Sequence, residues 1–338
     1  PDISNSIAGG LNWGMFKQRF GLDLAFYNNI TRNQILDVPM DQTTGYTKAT
    51  MNSGKVRNRG IELQLDGTPV KTKNFTWNST FTWAKNYNKV LSLAAGLTDG
   101  QTIAYTGGTN CALIAKVGGS IGDIYGYKLK RAPDGQVVWK DGITARTTEF
   151  EYVGNAYPAW KAGFSNEFSY KNFRVSILFD GQWGGIVYYQ THHKMTEHGT
   201  LKHTLKYREN PNFEVVGEGV MLDERGQYVP NNVPISVSKY YADYWRRANV
   251  ETNSFDASFL KLREARIEYT IPSAGLNKIG IERLTLALYG RNLAMWTKDF
   301  PVYDPEVATL NNGTIVPGSE MGQLPSTRTM GFNLTLKF

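Results

Sequence analysis

Apolar and polar residues alternate with a period of two along most of this chain, and the alternation runs into its last residue. In the closing "TMGFNLTLKF", Met330, Phe332, Leu334, Leu336 and Phe338 fall on one side of an extended strand, with Thr329, Asn333, Thr335 and Lys337 on the other. Period two marks a strand with two unlike faces. Chain ends ordinarily fray into polar disorder, so a one-sided apolar terminus needs a structural reason to be ordered. The same pattern sets Phe20, Leu22, Leu24 and Phe26 against Asp23, Ala25 and Tyr27, and Ile61, Leu63 and Leu65 against Glu62, Gln64 and Asp66. It returns in "FTWNSTFTW", "AWKAGFSNEFSY", "FRVSILFDGQW", "EARIEYTI" and "RLTLALYG". About ten strands follow from this periodicity, including a glycine-rich one near Ile7–Phe16 and another near Tyr125–Leu129. The class is all-β.

The connections alternate between short and long. Short ones follow Phe16 and fall at Pro69–Asn74, Tyr170–Asn172 and Pro272–Glu282. Long ones fill Leu36–Val56, Lys85–Pro158, Gly185–Ser254 and Asn292–Arg328. That order puts every long loop at one end of the sheet. Loops of such length are usually functional or disordered.

An apolar face can be the inside of a soluble sandwich or the outside of a membrane barrel. Four features point to the barrel. Strands of about ten residues are what a tilted strand needs to cross a bilayer. Aromatics (Trp13, Tyr27, Trp77, Trp83, Trp160, Tyr170, Trp183, Tyr269) gather toward strand ends, as in interfacial girdles. Short turns at one end and long loops at the other are the outer-membrane pattern. The terminal strand finishes on Phe338, which would close the barrel at the periplasmic edge, because lipid leaves no strand edge unpaired.

Composition removes other classes. No stretch approaches 18 consecutive apolar residues, so no membrane-spanning helix is expected. The net charge is +7, but Lys and Arg are scattered and no run of five like charges occurs, so no nucleic-acid partner is expected. The single Cys111 excludes an intrachain disulfide framework and a cysteine-based zinc cluster. The opening "PDISNSIAGG" has neither an initiator Met nor a signal peptide and reads as the middle of a longer protein.

Four segments carry a family resemblance: "MNSGKVRNRGIELQL" (Met51–Leu65), "ASFLKLREARIEYTIP" (Ala257–Pro272), "GRNLAMWTKDFPVYDPEV" (Gly290–Val307) and "PSTRTMGFNLTLKF" (Pro325–Phe338). In this order they resemble the C-terminal half of SusC/RagA-type TonB-dependent transporters. The resemblance implies a 22-stranded transmembrane antiparallel β-barrel filled by an N-terminal plug, of which this chain would be about ten C-terminal strands. It also implies a SusD-like surface lipoprotein as lid, the TonB complex acting through the plug, a lipid bilayer with lipopolysaccharide, and import of glycans or peptides. Residues 1–338 would then be the C-terminal part of the barrel, with plug and remaining strands supplied by the N-terminal part of the same transporter. A passive porin and a secreted carbohydrate-binding β-sandwich stand as alternatives.

Candidate sites follow the faces and loops. The aromatics Trp183, Tyr188, Tyr189, Tyr240, Tyr241, Tyr244, Trp245 and Trp296 could stack on sugar or peptide, since rigid rings lose little entropy on binding; girdle or lid contacts are the alternative. Asp23, Glu62, Asp66, Arg174, Asp180, Glu264, Arg266, Glu268 and Arg283 fall on the lumen face, where ion pairs with a plug are expected rather than acid–base catalysis. No enzyme activity and no cofactor are expected. The histidines His192, His193, His198 and His203 crowd one loop, but their spacing fits no compact metal site and none is expected. In "YDPE" (Tyr303–Glu306), Asp304 and Glu306 could ligate calcium, against a plain turn enforced by Pro305.

Overall fold

A computed structural model describes residues 2–39, 48–52, 54–93, 100–106, 110–272, 280–301, 303–306, 309–311 and 314–338. Its frame is one nine-stranded antiparallel meander in which each strand pairs with its neighbours in chain order. The strands are β1 (Ile3–Met15), β2 (Phe20–Arg32), β3 (Lys55–Lys71), β4 (Phe75–Ser92), β5 (Trp160–Tyr170), β6 (Phe173–Trp183), β7 (Phe259–Ile271), β8 (Arg283–Thr297) and β9 (Thr329–Lys337). Each periodic segment is a wall strand except Tyr125–Leu129. That one belongs to a small sheet within a long loop, where Asp123–Gly126 pairs with Glu151–Asn155 and Cys111–Ala115. The strand following Phe75 also runs on to Ser92, well past the boundary expected at Lys85.

The register sorts the faces. Leu63 lies between Leu24 and Trp83, Phe164 between Phe81 and Phe179, and Leu286 between Tyr269 and Leu334, so large apolar side chains form continuous rows on one face. Among the described residues no second sheet covers those rows, and Leu288, Met330 and Phe332 stand two-thirds or more exposed. A sandwich would bury this face. A barrel wall turns it to lipid. A polar intruder on these rows, Asn166, is capped within the face by the Trp77 indole, whose N–H donates to Asn166 Oδ1 at 2.9 Å. This satisfies a group that lipid could not.

On the polar face, two glycines lie under tyrosine rings from the neighbouring strand. Tyr27 pairs with Gly60 and Tyr289 with Gly331. A Cβ at Gly60 would meet Tyr27 Oη at 2.4 Å and the Lys85 carbonyl at 2.5 Å. Tyr27 therefore belongs to the lumen face, where its hydroxyl donates to Asn86 at 3.0 Å, and not to the expected girdle. Tight reversals lie at the other end from the long loops. After β1, Phe16, Lys17 and Gln18 adopt left-handed backbone at φ 51°, 57° and 63°, and Lys171 does so at 51° between β5 and β6.

The long connections fold into a lobe with its own core. Leu129, Val137, Trp139, Val215, Ile235, Val237 and Tyr241 form one cluster, and Cys111, Leu113, Ile124, Tyr188, Val250 and Val316 another. The lobe is tied to the wall where Asn88 Oδ1 accepts from the Ile121 amide and the Ser120 hydroxyl, and where the Val90 and Gly119 backbones bond. Phe338 lies one residue past β9 and is exposed. Much of the Leu36–Val56 loop falls outside the described residues.

Candidate functional site

All nine lumen candidates lie on the polar face by register, on β2, β3, β6, β7 and β8. Most already have partners in the wall. Arg291 Nε binds Glu264 at 2.9 Å, Arg266 pairs with Glu268, and Arg174 approaches Glu167 at 3.7 Å. Asp66 accepts from Thr80 and Gln64, each at 2.7 Å, and Asp23 accepts from Asn12 at 3.1 Å. Ion pairs within the wall thus take up several charges that sequence assigned to a plug.

Toward the loop end the polar face holds a hollow of about 580 Å³, lined by Asp23, Glu62, Gln64, Lys161, Asp180, Gln182 and Glu306 among others. Its rim is an ion network that sequence reasoning did not find. Arg263 occupies a bulge in β7, where the pairing with β6 skips a residue. Its guanidinium grips Asp180 through Nε at 2.9 Å and Nη2 at 2.7 Å, and reaches Glu306 at 2.9 Å. Two residues earlier, the nearly inaccessible Lys261 lies between Asp304, at 2.7 Å, and Glu306. Burial alone would raise the Asp304 pKa, but bonds from Lys261, Ser326 and the Glu306 amide hold it below the usual carboxylate range. The "YDPE" carboxylates are therefore committed to wall cations and fix the last long loop to the barrel, which displaces the calcium reading.

The eight aromatic candidates do not converge on a cleft. Trp183 and Trp296 lie on the apolar face. Trp183 stacks on Trp160 at 6.4 Å with planes 9° apart, and Trp296 pairs with Leu260. Their position is that of an outer girdle. Tyr188 and Tyr189 are wholly buried; the Tyr188 hydroxyl donates to the Arg247 carbonyl at 3.1 Å, and Tyr189 packs edge-on against Phe300 and Tyr303. Tyr240, Tyr241, Tyr244 and Trp245 form a stack around Trp139 and His203 in the lobe core. Their bulk is spent on packing.

Among its described residues the lobe has two eight-residue α-helices, α1 (Gln190–Glu197) and α2 (Val237–Tyr244). Glu320 is fully buried and caps α1, accepting from the Thr191 amide at 2.9 Å and the Thr191 hydroxyl at 2.8 Å. Three histidines bind the two helices together. His192 donates to Asn253 Oδ1 at 3.1 Å and stacks on His203 at 5.2 Å; His193 donates to the Trp245 carbonyl at 2.7 Å. Among the described residues, no group of three His, Cys, Asp or Glu side chains is placed to hold a metal ion. Burial pushes the His192 pKa down to about 4 and lowers those of His193 and His203. The unfolded chain takes up the His192 proton below its ordinary value of 6.5, the folded lobe only near 4. Stability is therefore complete above neutral pH and is lost as pH falls through this window, by about 3 kcal/mol for His192 alone. Amide exchange over residues 190–205 should accelerate sharply between pH 7 and pH 4.5 relative to the wall strands, after correction for intrinsic rates.

Fold and face together define an outer-membrane β-barrel wall with a polar lumen. The TonB dependent receptor-like, beta-barrel family model matches residues 1–293, and the chain belongs to that family of Gram-negative outer-membrane proteins. It is 29% identical to TonB-dependent receptor P26 of Formosa agariphila over 100% of this chain and 34% of the relative. It is 25% identical to TonB-dependent receptor SusC of Bacteroides thetaiotaomicron over 53% of this chain and 19% of that protein. The solved RagAB peptide transporter superposes with a TM-score of 0.71 at 20% identity, over 100% of this chain and 35% of its own. The chain thus spans about a third of the length of the first two full matches, 34% and 35%.

Proposed function

We propose that the whole protein is a TonB-dependent active importer of oligosaccharides or oligopeptides, working with a SusD-like surface lipoprotein. In this reading the chain supplies nine wall strands and much of the extracellular mouth. The observation that carries it is the two-faced meander with all long loops at one end, on a chain of the receptor family. Among the described residues, β1 and β9 each keep one edge unpaired in the sheet. Lipid tolerates no such edge, so the portion of the relatives that this chain does not span would supply the remaining strands and the plug. Asp23, Glu62 and Arg283 have no wall ion pair among the described residues and are where a plug would meet the wall.

Deleting the gene in the source bacterium should abolish uptake of one class of labelled oligosaccharide or peptide, and removing TonB should abolish it equally. Uptake that persists without TonB, with steady ion conductance from the purified protein, would make the barrel a passive pore instead.

A further inference from the structure

β4 outruns β5. It continues to Ser92, while β5 begins at Trp160 and its ladder with β4 reaches only Lys161 opposite Ala84. Before β5 the chain leans away from β4: the Ala159 amide donates to the Trp183 carbonyl on β6, the Ala156 amide donates to Gly122, and Pro158 has no N–H to give. Higher on β4, the Val90 N–H donates to the Gly119 carbonyl at 2.8 Å and its C=O accepts from Gly118 at 2.9 Å, so both groups face away from β3. In an antiparallel strand alternate residues turn their N–H and C=O the same way. The Lys85 carbonyl points at Gly60 on β3; Asn86 and Asn88 therefore point, like Val90, to the side that β5 has left. Among the described residues the main-chain groups of Asn86 and Asn88 have no partner on that side.

The gap is a cleft of about 460 Å³ between this free edge and residues 155–160. It lies on the loop side of the Trp160–Trp183 girdle and opens to both faces of the wall. Tyr27 and Lys161 border it from the lumen, Tyr87 and Trp160 from outside. β4 and β5 both belong to this chain and are neighbours in its sheet, so completing the barrel adds no strand between them. Among the described residues no carboxylate lines the cleft, whereas two lysines do. Lys161 has no ion pair there, and the Lys85 ammonium rests against the Tyr87 ring at 4.8 Å.

We propose that this edge binds an extended acidic oligopeptide, which adds to β4 as a strand; the inference rests on the importer reading and narrows its substrate. A free edge asks for main-chain donors and acceptors at the two-residue repeat of another extended chain, and strand addition meets that repeat whatever the side chains are. The hydroxyls of a saccharide do not share it. From Ala84 to Val90 the edge spans about 20 Å at about 3.4 Å per residue, room for about five peptide residues. Asn86 and Asn88 would each exchange two main-chain hydrogen bonds with the peptide. Lys85 and Lys161 select carboxylates, on side chains or at the peptide C-terminus. The bonds from Val90 to the lobe and from Ala84 to β5 bound the edge at both ends, so a short peptide fits and a long strand does not.

The test uses the full-length transporter with its lipoprotein, purified in mild detergent. The probes are the pentapeptide Glu-Val-Glu-Val-Glu, the same peptide with every second amide N-methylated in either register, and maltopentaose. Binding is measured by calorimetry, and amide exchange is followed over residues 85–89. The plain peptide should bind and slow exchange at Asn86 and Asn88, and one of the two methylated registers should lose binding. Asn86→Pro removes a free N–H and leaves the β3 ladder intact; it should weaken binding at least about threefold. If that variant does not fold, Lys161→Gln should still weaken binding by about threefold, and the methylated peptides need no variant at all. Equal binding of both methylated peptides overturns the proposal. So does maltopentaose that protects the same amides, which would make the cleft a glycan site. Slow exchange at Asn86 and Asn88 before any peptide is added also overturns it, because the edge would already be filled by another part of the assembly. TonB-dependent uptake of a glycan but of no peptide would keep the importer and reject this site. Peptide binding with edge protection but no TonB-dependent uptake would keep the site and reject the importer.

Discussion

Replacing Lys261 by methionine is expected to release the last long loop from the barrel wall at a cost of about 3–5 kcal/mol, the usual penalty for stranding one member of a buried ion pair. Lys261 is 2% exposed and Asp304 3%, so the carboxylate left behind could not recover water without moving. Ser326 and the Glu306 amide would still donate to it, but neither supplies charge. Glu306 keeps Arg263 and should suffer less. The double change K261M/D304N removes both charges and should recover most of the loss, because a neutral buried pair carries little desolvation penalty. Hydrogen exchange over residues 299–306 and 320–328 separates the two variants. Rapid exchange in the single variant and near-normal protection in the double is the expected result; equal protection in both would show that the network contributes little.

Trp139→Ala is expected to unfold the lobe while leaving the wall intact. The ring is buried against Tyr240 and Tyr244, stacked at 6.0 and 6.2 Å, and its indole N–H donates to the Glu218 carbonyl at 2.9 Å. Its neighbour in the chain fold is shaped to it: a Cβ on Gly217 would meet Trp139 Cζ2 at 2.2 Å. Truncation removes the centre of the largest lobe cluster and orphans a carbonyl, at about 3–5 kcal/mol. Trp139→Phe keeps most of the volume but loses the bond, and should cost about 1–3 kcal/mol. Limited proteolysis at graded temperature should cut the alanine variant within residues 128–245 well before the wall loses its heat-modifiable migration. Simultaneous loss of both would mean that lobe and wall fold as one unit.

The wall was legible because each strand shows its two faces in sequence and because register then follows from keeping apolar rows aligned. Lys261 and Arg263 were not legible as a site. The bulge at Arg263 breaks the alternation locally, and the partners lie more than 40 residues away. The lobe was harder still. Its strands are mostly two to five residues long and its helices eight, too short for either periodicity to register. For the same reason Tyr188, Tyr189 and the Tyr240–Trp245 group looked like ligand aromatics. Composition marks a ring as large and amphipathic but does not say whether it is buried, and only the assembled clusters do.

The most direct test of the central claim, that this chain is a lipid-facing barrel wall, is spin-label scanning of β8 in the full-length protein reconstituted in bilayers. Labels at Leu284, Leu286 and Leu288 should collide readily with oxygen dissolved in the acyl chains, and labels at Thr285, Ala287 and Tyr289 should not, giving a period of two across the strand. Oxygen accessibility that is uniform along β8, or highest at Thr285, Ala287 and Tyr289, would contradict the barrel.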